Sequence, residues 1–199
     1  MISRSLIAII LIFSIVGCNK HTPPNNYNNG YNYPTPDAEF YTNFSEDWDN
    51  WRMEIDDTLC VVQTAFSEDW DNWDFTYGNI NGDIYTNFSK DWDNWRLFSN
   101  GNTIQINTNF SEDWDNWRIF DPSDGTIIYV RASFSENWDN WDVTVNGDHF
   151  ADIQTAFSDD FDNWDVYGDL GLLSPQQRIA VLFVPLFAGA IHSQDIHLD

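Results

Sequence analysis

The chain has 199 residues, of which 32 are acidic and only 8 are Lys or Arg, so its formal net charge is −24. Binding to phosphate requires a basic surface, and this balance excludes nucleic acid and anionic membrane surfaces as favoured partners. Cations, basic proteins and neutral sugars stay open. The 11 Trp and 15 Phe residues predict a core held together by aromatic side chains.

The first 17 residues have a charged start, an apolar run over 6–16, and the letters IVGC, which end at Cys18. This arrangement resembles a bacterial lipoprotein signal peptide, in which a small residue precedes the lipidated cysteine. The resemblance implies that 1–17 is removed, that Cys18 carries the lipid, and that the protein is membrane-anchored in a bacterial cell envelope. The apolar run is shorter than the roughly 20 residues of a transmembrane helix. Asn19, in place of an aspartate, favours the outer membrane.

Residues 18–37 comprise Cys18 and the segment NKHTPPNNYNNGYNYPTPD, which has almost no aliphatic side chain. Such a segment buries too little apolar surface to offset the entropy of ordering, so we expect a flexible tether. The only other cysteine, Cys60, lies in the apolar run TLCVV. We therefore expect no intrachain disulfide and a Cys60 buried as a small hydrophobic residue.

An acidic, aromatic octapeptide, FSEDWDNW, is repeated through residues 38–168 at spacings of 22, 22, 22, 24 and 23 residues, and all 11 tryptophans lie in it. Its first, second and last three positions never change, whereas the third is Lys90 in one copy and the fifth is Phe161 in another. Regular spacing of this kind predicts a repeat array. The six copies begin at Phe44, Phe66, Phe88, Phe110, Phe134 and Phe157.

The segments between octapeptides alternate apolar and polar residues, as in Trp51, Met53 and Ile55, which is the period of a half-buried strand. Asn-Gly in copies three and five predicts tight hairpin turns, and DD, NINGD and DPSDG are the corresponding turns of the other copies. The prediction is an all-β fold of six 22–24-residue hairpin repeats. We expect an antiparallel meander that closes on its aromatic face.

Two alternative folds remain open from the residues. A β-solenoid would stack equivalent acids such as Asp47 and Asp69 about 4.8 Å apart, whereas stacked hairpins separate them by about 10 Å. Copy five, FSENWDNWDV, resembles a phrase of leucine-rich-repeat-like bacterial surface proteins. That resemblance implies a surface role and a parallel solenoid. A transmembrane barrel is disfavoured, because its strands need about 9 to 11 residues.

The octapeptide itself is predicted to be a capped helical corner between hairpins. Phe44, Trp48 and Trp51 are spaced i, i+4 and i+7, which is one face of a helical turn. Ser45 would cap that turn, and Asn50 would end it in the left-handed conformation. On this interpretation all three aromatic side chains are buried together.

The octapeptide also supplies hard oxygen ligands at close spacing, which suits calcium. Lys90 shows that the third position is not a ligand in every copy. The candidate ligands are the acids at the fourth and sixth positions and the amides at the seventh. They are Asp47, Asp49, Asn50, Asp69, Asp71, Asn72, Asp91, Asp93, Asn94, Asp113, Asp115, Asn116, Asp139, Asn140, Asp160, Asp162 and Asn163.

Exposed aromatic side chains would instead give six binding platforms for a glycan or a surface protein. The candidates are the five tryptophans at the fifth position, Trp48, Trp70, Trp92, Trp114 and Trp138, and the sixth copy has Phe161 there. The four histidines form no recognisable triad or metal-binding spacing, and paired acids are too frequent to single out a catalytic pair. We therefore expect a non-enzymatic protein that acts in cell-surface binding or adhesion. A purely structural envelope protein without a specific ligand is the alternative.

Residues 169–199 change composition to LGLLSPQQRIAVLFVPLFAGAI and a polar tail. Ser174 followed by Pro175 predicts a helix start, and Pro185 is expected to break the apolar stretch. A repeat array needs cover over an open edge strand, so this segment is predicted to be a short helical cap. A segment that binds a partner is the alternative.

Overall fold

The computed structural model describes residues 35–193, apart from residues 46, 68, 112, 136 and 159. Within these residues the chain forms twelve strands, each antiparallel to the next, and the last strand pairs with the first to close a barrel. The strands are β1 (Ala38–Thr42), β2 (Asn50–Ile55), β3 (Thr58–Thr64), β4 (Asn72–Tyr77), β5 (Ile80–Thr86), β6 (Asn94–Ser99), β7 (Asn102–Thr108), β8 (Asn116–Asp121), β9 (Thr126–Phe134), β10 (Asn137–Val145), β11 (Asp148–Thr155) and β12 (Asn163–Tyr167). The predicted all-β antiparallel meander is confirmed, and both solenoid alternatives are wrong for this chain.

The strands bury alternate residues, as their sequences predict. In β2, Trp51, Met53 and Ile55 are buried, whereas Glu54 is exposed. Successive side chains of a strand point to opposite faces of the sheet, so this two-residue alternation directs the apolar side chains to the barrel interior. The polar side chains that alternate with them lie on the outer surface of the barrel. No helix among the described residues is long and apolar enough to cross a membrane.

Five tight turns lie together at one end of the barrel, which we call the hairpin rim; they are centred on 56–57, 78–79, 100–101, 122–125 and 146–147. Asn100 and Gly101 both have positive φ, at 52° and 82°, and Asn146 and Gly147 repeat this conformation. Such turns match the twist of the strands they join. The Asn-Gly turn predictions are confirmed.

Copy two departs from its predicted turn. The turn falls at Gly78 and Asn79, so only the first residue of the predicted NINGD turn takes part in it, and the pair Asn81-Gly82 lies inside β5. A Cβ atom on Gly82 would lie 2.3 Å from the Phe98 carbonyl oxygen and 2.6 Å from the Phe75 ring. Glycine is therefore required at residue 82 for close packing, not for a turn.

A helix, α1 (Pro175–Ser193), follows a single 3₁₀ turn at Leu170–Leu172. Its start is a capping box: the Gln177 N–H donates to the Ser174 hydroxyl at 3.2 Å, and the Ser174 N–H donates to the Gln177 side chain at 3.0 Å. The predicted helix start is confirmed. Pro185, however, lies inside the helix and does not end it, because the helix is packed on every side.

Helix α1 occupies the barrel interior, and residues 179–191 are buried without exception. The Phe183 ring lies 5.7 Å from Trp73 in β4 and 5.0 Å from Trp95 in β6, and Gly189 faces Trp164 in β12. These strands lie in different parts of the closed sheet, so the helix fills the lumen as in other barrels with a central helix. The sheet has no open edge, and the predicted edge cap is therefore wrong.

Cys60 is a free, fully buried thiol on β3. Burial raises its pKa to about 12, because the apolar interior disfavours the thiolate. The thiol is therefore unreactive at neutral pH, as predicted for a small core residue.

Candidate functional site: the octapeptide rim

The six octapeptides join β1 to β2, β3 to β4, β5 to β6, β7 to β8, β9 to β10 and β11 to β12. They therefore lie together at the end of the barrel opposite the hairpin rim, and we call this end the octapeptide rim. The repeat places six copies of one motif in a closed ring. Each copy spans two strands, so neighbouring copies lie about 10 Å apart.

Five of the six octapeptides are a pair of turns rather than a helical corner, and in copy five β9 extends through Phe134 and β10 begins at Asn137. In the first copy, the Asp47 N–H donates to the Phe44 carbonyl at 2.9 Å, and the Asn50 N–H donates to the Asp47 carbonyl at 3.1 Å. Asn50 begins β2 and does not adopt the left-handed conformation. The helical prediction is wrong because the motif connects two adjacent antiparallel strands, which tight turns accomplish.

The last tryptophan of every octapeptide is buried to at least 99% and points into the barrel. Its indole N–H donates to the backbone carbonyl three residues earlier, at 2.6 to 3.1 Å in all six copies. Because the acceptor is a backbone atom, Phe161 can replace tryptophan at the fifth position. The six residues are Trp51, Trp73, Trp95, Trp117, Trp141 and Trp164.

The tryptophans at the fifth position, predicted as binding platforms, pack against this core. Trp48 and Trp92 are buried, whereas Trp70, Trp114 and Trp138 are partly buried against the same cluster. These side chains cover the end of the lumen at the octapeptide rim, and little of their surface is left for a ligand.

Every octapeptide is hydrogen-bonded to the preceding one by the serine at its second position. The Ser hydroxyl donates to the Asp at the sixth position of the preceding copy, at 2.7 to 3.4 Å, and Ser45 closes the ring on Asp162 of the last copy. The other pairs are Ser67 with Asp49, Ser89 with Asp71, Ser111 with Asp93, Ser135 with Asp115, and Ser158 with Asp139.

The Asp71 carboxylate illustrates how many hydrogen bonds one of these acids accepts from the next copy. It accepts from the Ser89 hydroxyl at 2.7 Å, the Lys90 backbone N–H at 2.9 Å and the Trp92 indole N–H at 2.7 Å. Its own backbone carbonyl accepts from the Thr86 N–H at 3.0 Å. The invariant Ser and Asp therefore have a structural role, which is to join one repeat to the next.

The predicted calcium ligands are distributed around the rim. The sixth-position acids accept the inter-repeat bonds, and the amides of Asn72 and Asn163 donate to the neighbouring acids Asp69 and Asp160. Burial, and secondarily the charge of Asp49, raise the pKa of Asp47. Within the described part of the chain, no three octapeptide carboxylates converge at metal-binding distance. Calcium binding stays a prediction.

The six phenylalanines that open the octapeptides all point into solvent. Their exposed fractions lie between 69% and 76%, for Phe44, Phe66, Phe88, Phe110, Phe134 and Phe157. The predicted burial of Phe with the two tryptophans is wrong, because the turn after each Phe rotates its side chain away from the lumen. The i, i+4 and i+7 spacing of the three aromatic residues indicated one buried face, so it did not predict that Phe is exposed. The signal in the sequence was that Phe is invariant at a turn.

An open surface cavity of about 420 Å³ lies beside one of these phenylalanines. Phe66 and Tyr85 give it aromatic walls, and Asp69, Asp74 and Asp83 supply carboxylates.

No protein-family model matches the chain, and neither a curated protein nor a solved structure is significantly similar to it.

Proposed function

We propose that this chain is a non-catalytic protein of a bacterial envelope, anchored by lipid at Cys18, which binds a glycan through the six phenylalanines of the octapeptide rim. The observation that carries the proposal is the exposure of all six side chains. Large apolar side chains that are exposed together at one end of a protein are a common sign of an interaction site.

The rest of the motif supports this assignment by elimination. The two tryptophans form the core, and Ser with the second Asp joins neighbouring repeats. In five copies the first-position Phe contributes a carbonyl to the turn, which any residue provides, yet it is Phe in six copies of six. Because its side chain is not used in packing, selection for contact with a partner explains why it does not vary.

The chemistry beside Phe66 favours a carbohydrate. A sugar ring presents an apolar face, which stacks on an aromatic ring, and hydroxyl groups, which donate to carboxylates. Phe66, Tyr85 and Asp69 provide both kinds of contact around the cavity, whose volume is in the range of small-ligand sites. Six weak sites at intervals of about 10 Å would reinforce one another on a polymer or a cell surface.

The two ends of β1 lie at different rims of the barrel. Strand β1 begins at Ala38, which pairs with Ile55 beside the hairpin rim, and it runs toward the octapeptide rim. The first described strand therefore starts at the end of the barrel opposite the six exposed phenylalanines.

A glycan array tests the proposal with the soluble protein from Asn19 onward. We expect selective binding that is lost when the six rim phenylalanines are replaced by Ser. Phe98→Ser is the matched control, since Phe98 is 41% exposed but lies on the wall in β6. Binding that survives in the rim variant would contradict the proposal.

The ring of inter-repeat bonds favours the second candidate, a purely structural envelope protein. This candidate predicts that the array is blank and that labelled protein does not adhere to cells. Adhesion that is sensitive to the rim variant, on a blank glycan array, would instead indicate a surface protein as the partner.

A further inference from the structure

Three side chains capable of binding a metal lie together on the outer wall, away from the octapeptide rim. Asp142 in β10 and His149 and Asp152 in β11 each offer one ligand atom, and all three atoms lie within 4.8 Å of one another. The His149 Nε2 atom is 3.4 Å from an oxygen of Asp152. More than half of each of these two side chains is exposed, so an ion can reach them from solvent.

A β-bulge brings the imidazole to this face. Asp142 and Asp152 are directly opposite each other, but the register shifts after Val143, so that Thr144 pairs with His149 and Phe150 is the extra residue. Ala151 points inward, and strict alternation would therefore send His149 inward as well. Bulges commonly redirect a side chain in this way. Copy five is one residue longer than copies one to three, as the bulge requires.

We propose that Asp142, His149 and Asp152 bind a divalent transition-metal ion of the zinc type. One imidazole nitrogen and two carboxylate oxygens suit zinc, whereas calcium prefers oxygen ligands alone. In a tetrahedral site with bonds of about 2.0 to 2.1 Å, two ligand atoms are roughly 3.3 Å apart, and the His149–Asp152 pair already has this separation. The fourth position is left for water or for a group from a partner.

The neighbouring cation does not occupy the site. Arg131 is opposite Asp142 in β9, but its guanidinium lies over the Tyr129 ring, 4.4 Å from the centroid. Its Nε also donates to Asn116 at 3.0 Å. Arg131 is therefore engaged on the far side, although its charge will reduce the affinity for a cation.

The chain contains its own control. In copy two, Asp74 and Asp83 are opposite each other in β4 and β5, as Asp142 and Asp152 are in copy five, but no histidine accompanies them. If two exposed acids were sufficient, both copies would bind the ion. The proposal requires binding at the copy that also carries His149.

Zinc titration by calorimetry, together with the melting temperature, tests the proposal on the wild type, on His149→Ala and on Asp74→Asn. We expect one zinc ion to bind and to raise the melting temperature in the wild type and in Asp74→Asn. His149→Ala should weaken binding at least tenfold, with an unchanged apo melting temperature. His21, His192 and His197 are present in all three proteins, so they do not account for a difference.

A histidine ring proton spectrum assigns the ion to its site. The His149 resonances should shift or broaden with zinc, while millimolar calcium leaves them unchanged. Equal zinc affinity in His149→Ala and in the wild type would overturn the proposal, as would the absence of zinc binding. Neither result depends on the rim phenylalanines, so this test is independent of glycan binding.

Discussion

Both rims of the barrel connect adjacent strands, but the sequences of the connections vary much more at the hairpin rim than at the octapeptide rim. The turns of the hairpin rim include Asp56-Asp57, Gly78-Asn79 and Asn100-Gly101, which share little beyond at least one residue with positive φ. The octapeptides hardly vary. The reason is that the contacts of the hairpin turns differ from one turn to the next, as in Asp56 with Arg178 and Asn146 with Ile127. Every octapeptide instead repeats the same Ser–Asp bond to its neighbour and packs on the lumen.

This difference separates two causes of invariance within one motif. Ser89 and Asp71 are fixed because a change in either would leave the other without its partner. Trp95 is fixed because it fills the lumen against Phe183 and Phe187. Phe88 meets neither demand, since it is 75% exposed. The comparison therefore assigns the core residues to folding, and it leaves the phenylalanines for the recognition role that we propose.

The largest effect is expected from Trp95→Ala, which removes a fully buried side chain at the octapeptide rim. We expect the free energy of unfolding to fall by about 3 to 5 kcal/mol, because both transfer and cavity terms are lost. Urea denaturation measures the change. Phe88→Ala, in the same octapeptide, is the control and should change the free energy by no more than about 0.5 kcal/mol. Similar losses in the two variants would remove the distinction.

A smaller loss is expected from Asp71→Ala, which leaves three donors without their acceptor. The expected cost is about 1 to 3 kcal/mol in the free energy of unfolding. Asp148→Ala changes an exposed acid beside the hairpin rim and should have almost no effect. If Asp71→Ala and Asp148→Ala both unfold at the same urea concentration as the wild type, the inter-repeat bonds do not stabilise the ring.

At the hairpin rim, Gly101→Ala should cost roughly 1 kcal/mol. Gly101 has a φ of 82°, and a Cβ atom there would meet nothing within 4 Å, so the cost is purely conformational. Gly101→Asn, which tolerates positive φ, should recover part of the stability. If Gly101→Ala leaves the free energy of unfolding unchanged, this rim does not require the left-handed conformation.

The smallest effects concern pH, and they have opposite signs at the two rims. At the octapeptide rim, burial and the charge of Asp49 raise the pKa of Asp47, so its stabilising contribution is present below pH 3.8 and is lost as the pH rises. At the hairpin rim, the Thr126 N–H lowers the pKa of Asp124, whose contribution is present above pH 3.8 and is lost in acid.

Asp47→Asn should therefore stabilise the protein slightly at pH 7, and Asp124→Asn should destabilise it slightly. Both changes are on the order of a few tenths of a kcal/mol, since solvent screens these exposed groups. Melting temperatures at pH 7 and pH 3 measure them, and the differences should shrink at pH 3. A shift of the same sign at both rims would contradict the electrostatic comparison.

Much of the fold was predictable because the repeat supplies its own internal comparison. Period-two alternation around Met53 and the Asn-Gly turn at Asn100 determined the hairpins. The way in which the expected closure is made was not available in the same way, since it depends on β1 and β12 meeting across more than 120 residues of sequence. The interior position of α1 was also missed, because apolar residues all around a helix fit a cap, a core or a partner equally well.

The octapeptide was predicted to carry the candidate site, but its fifth-position tryptophans, and not its phenylalanines, were the predicted binding aromatics. Phe44, Trp48 and Trp51 have helical spacing, and periodicity does not distinguish a helical turn from two consecutive β-turns of the same length. His149 was missed because its relation to Asp142 depends on a bulge, which sequence spacing does not reveal. Both errors have one origin, which is that a single residue of register decides the direction of a side chain.

The most direct test of the central claim is the urea denaturation of a variant in which all six rim phenylalanines are replaced by Ser. If these side chains serve recognition, the six replacements together should cost less stability than Trp95→Ala alone. A variant that fails to fold, or that loses more than Trp95→Ala, would show that the phenylalanines hold the barrel together and would contradict the account.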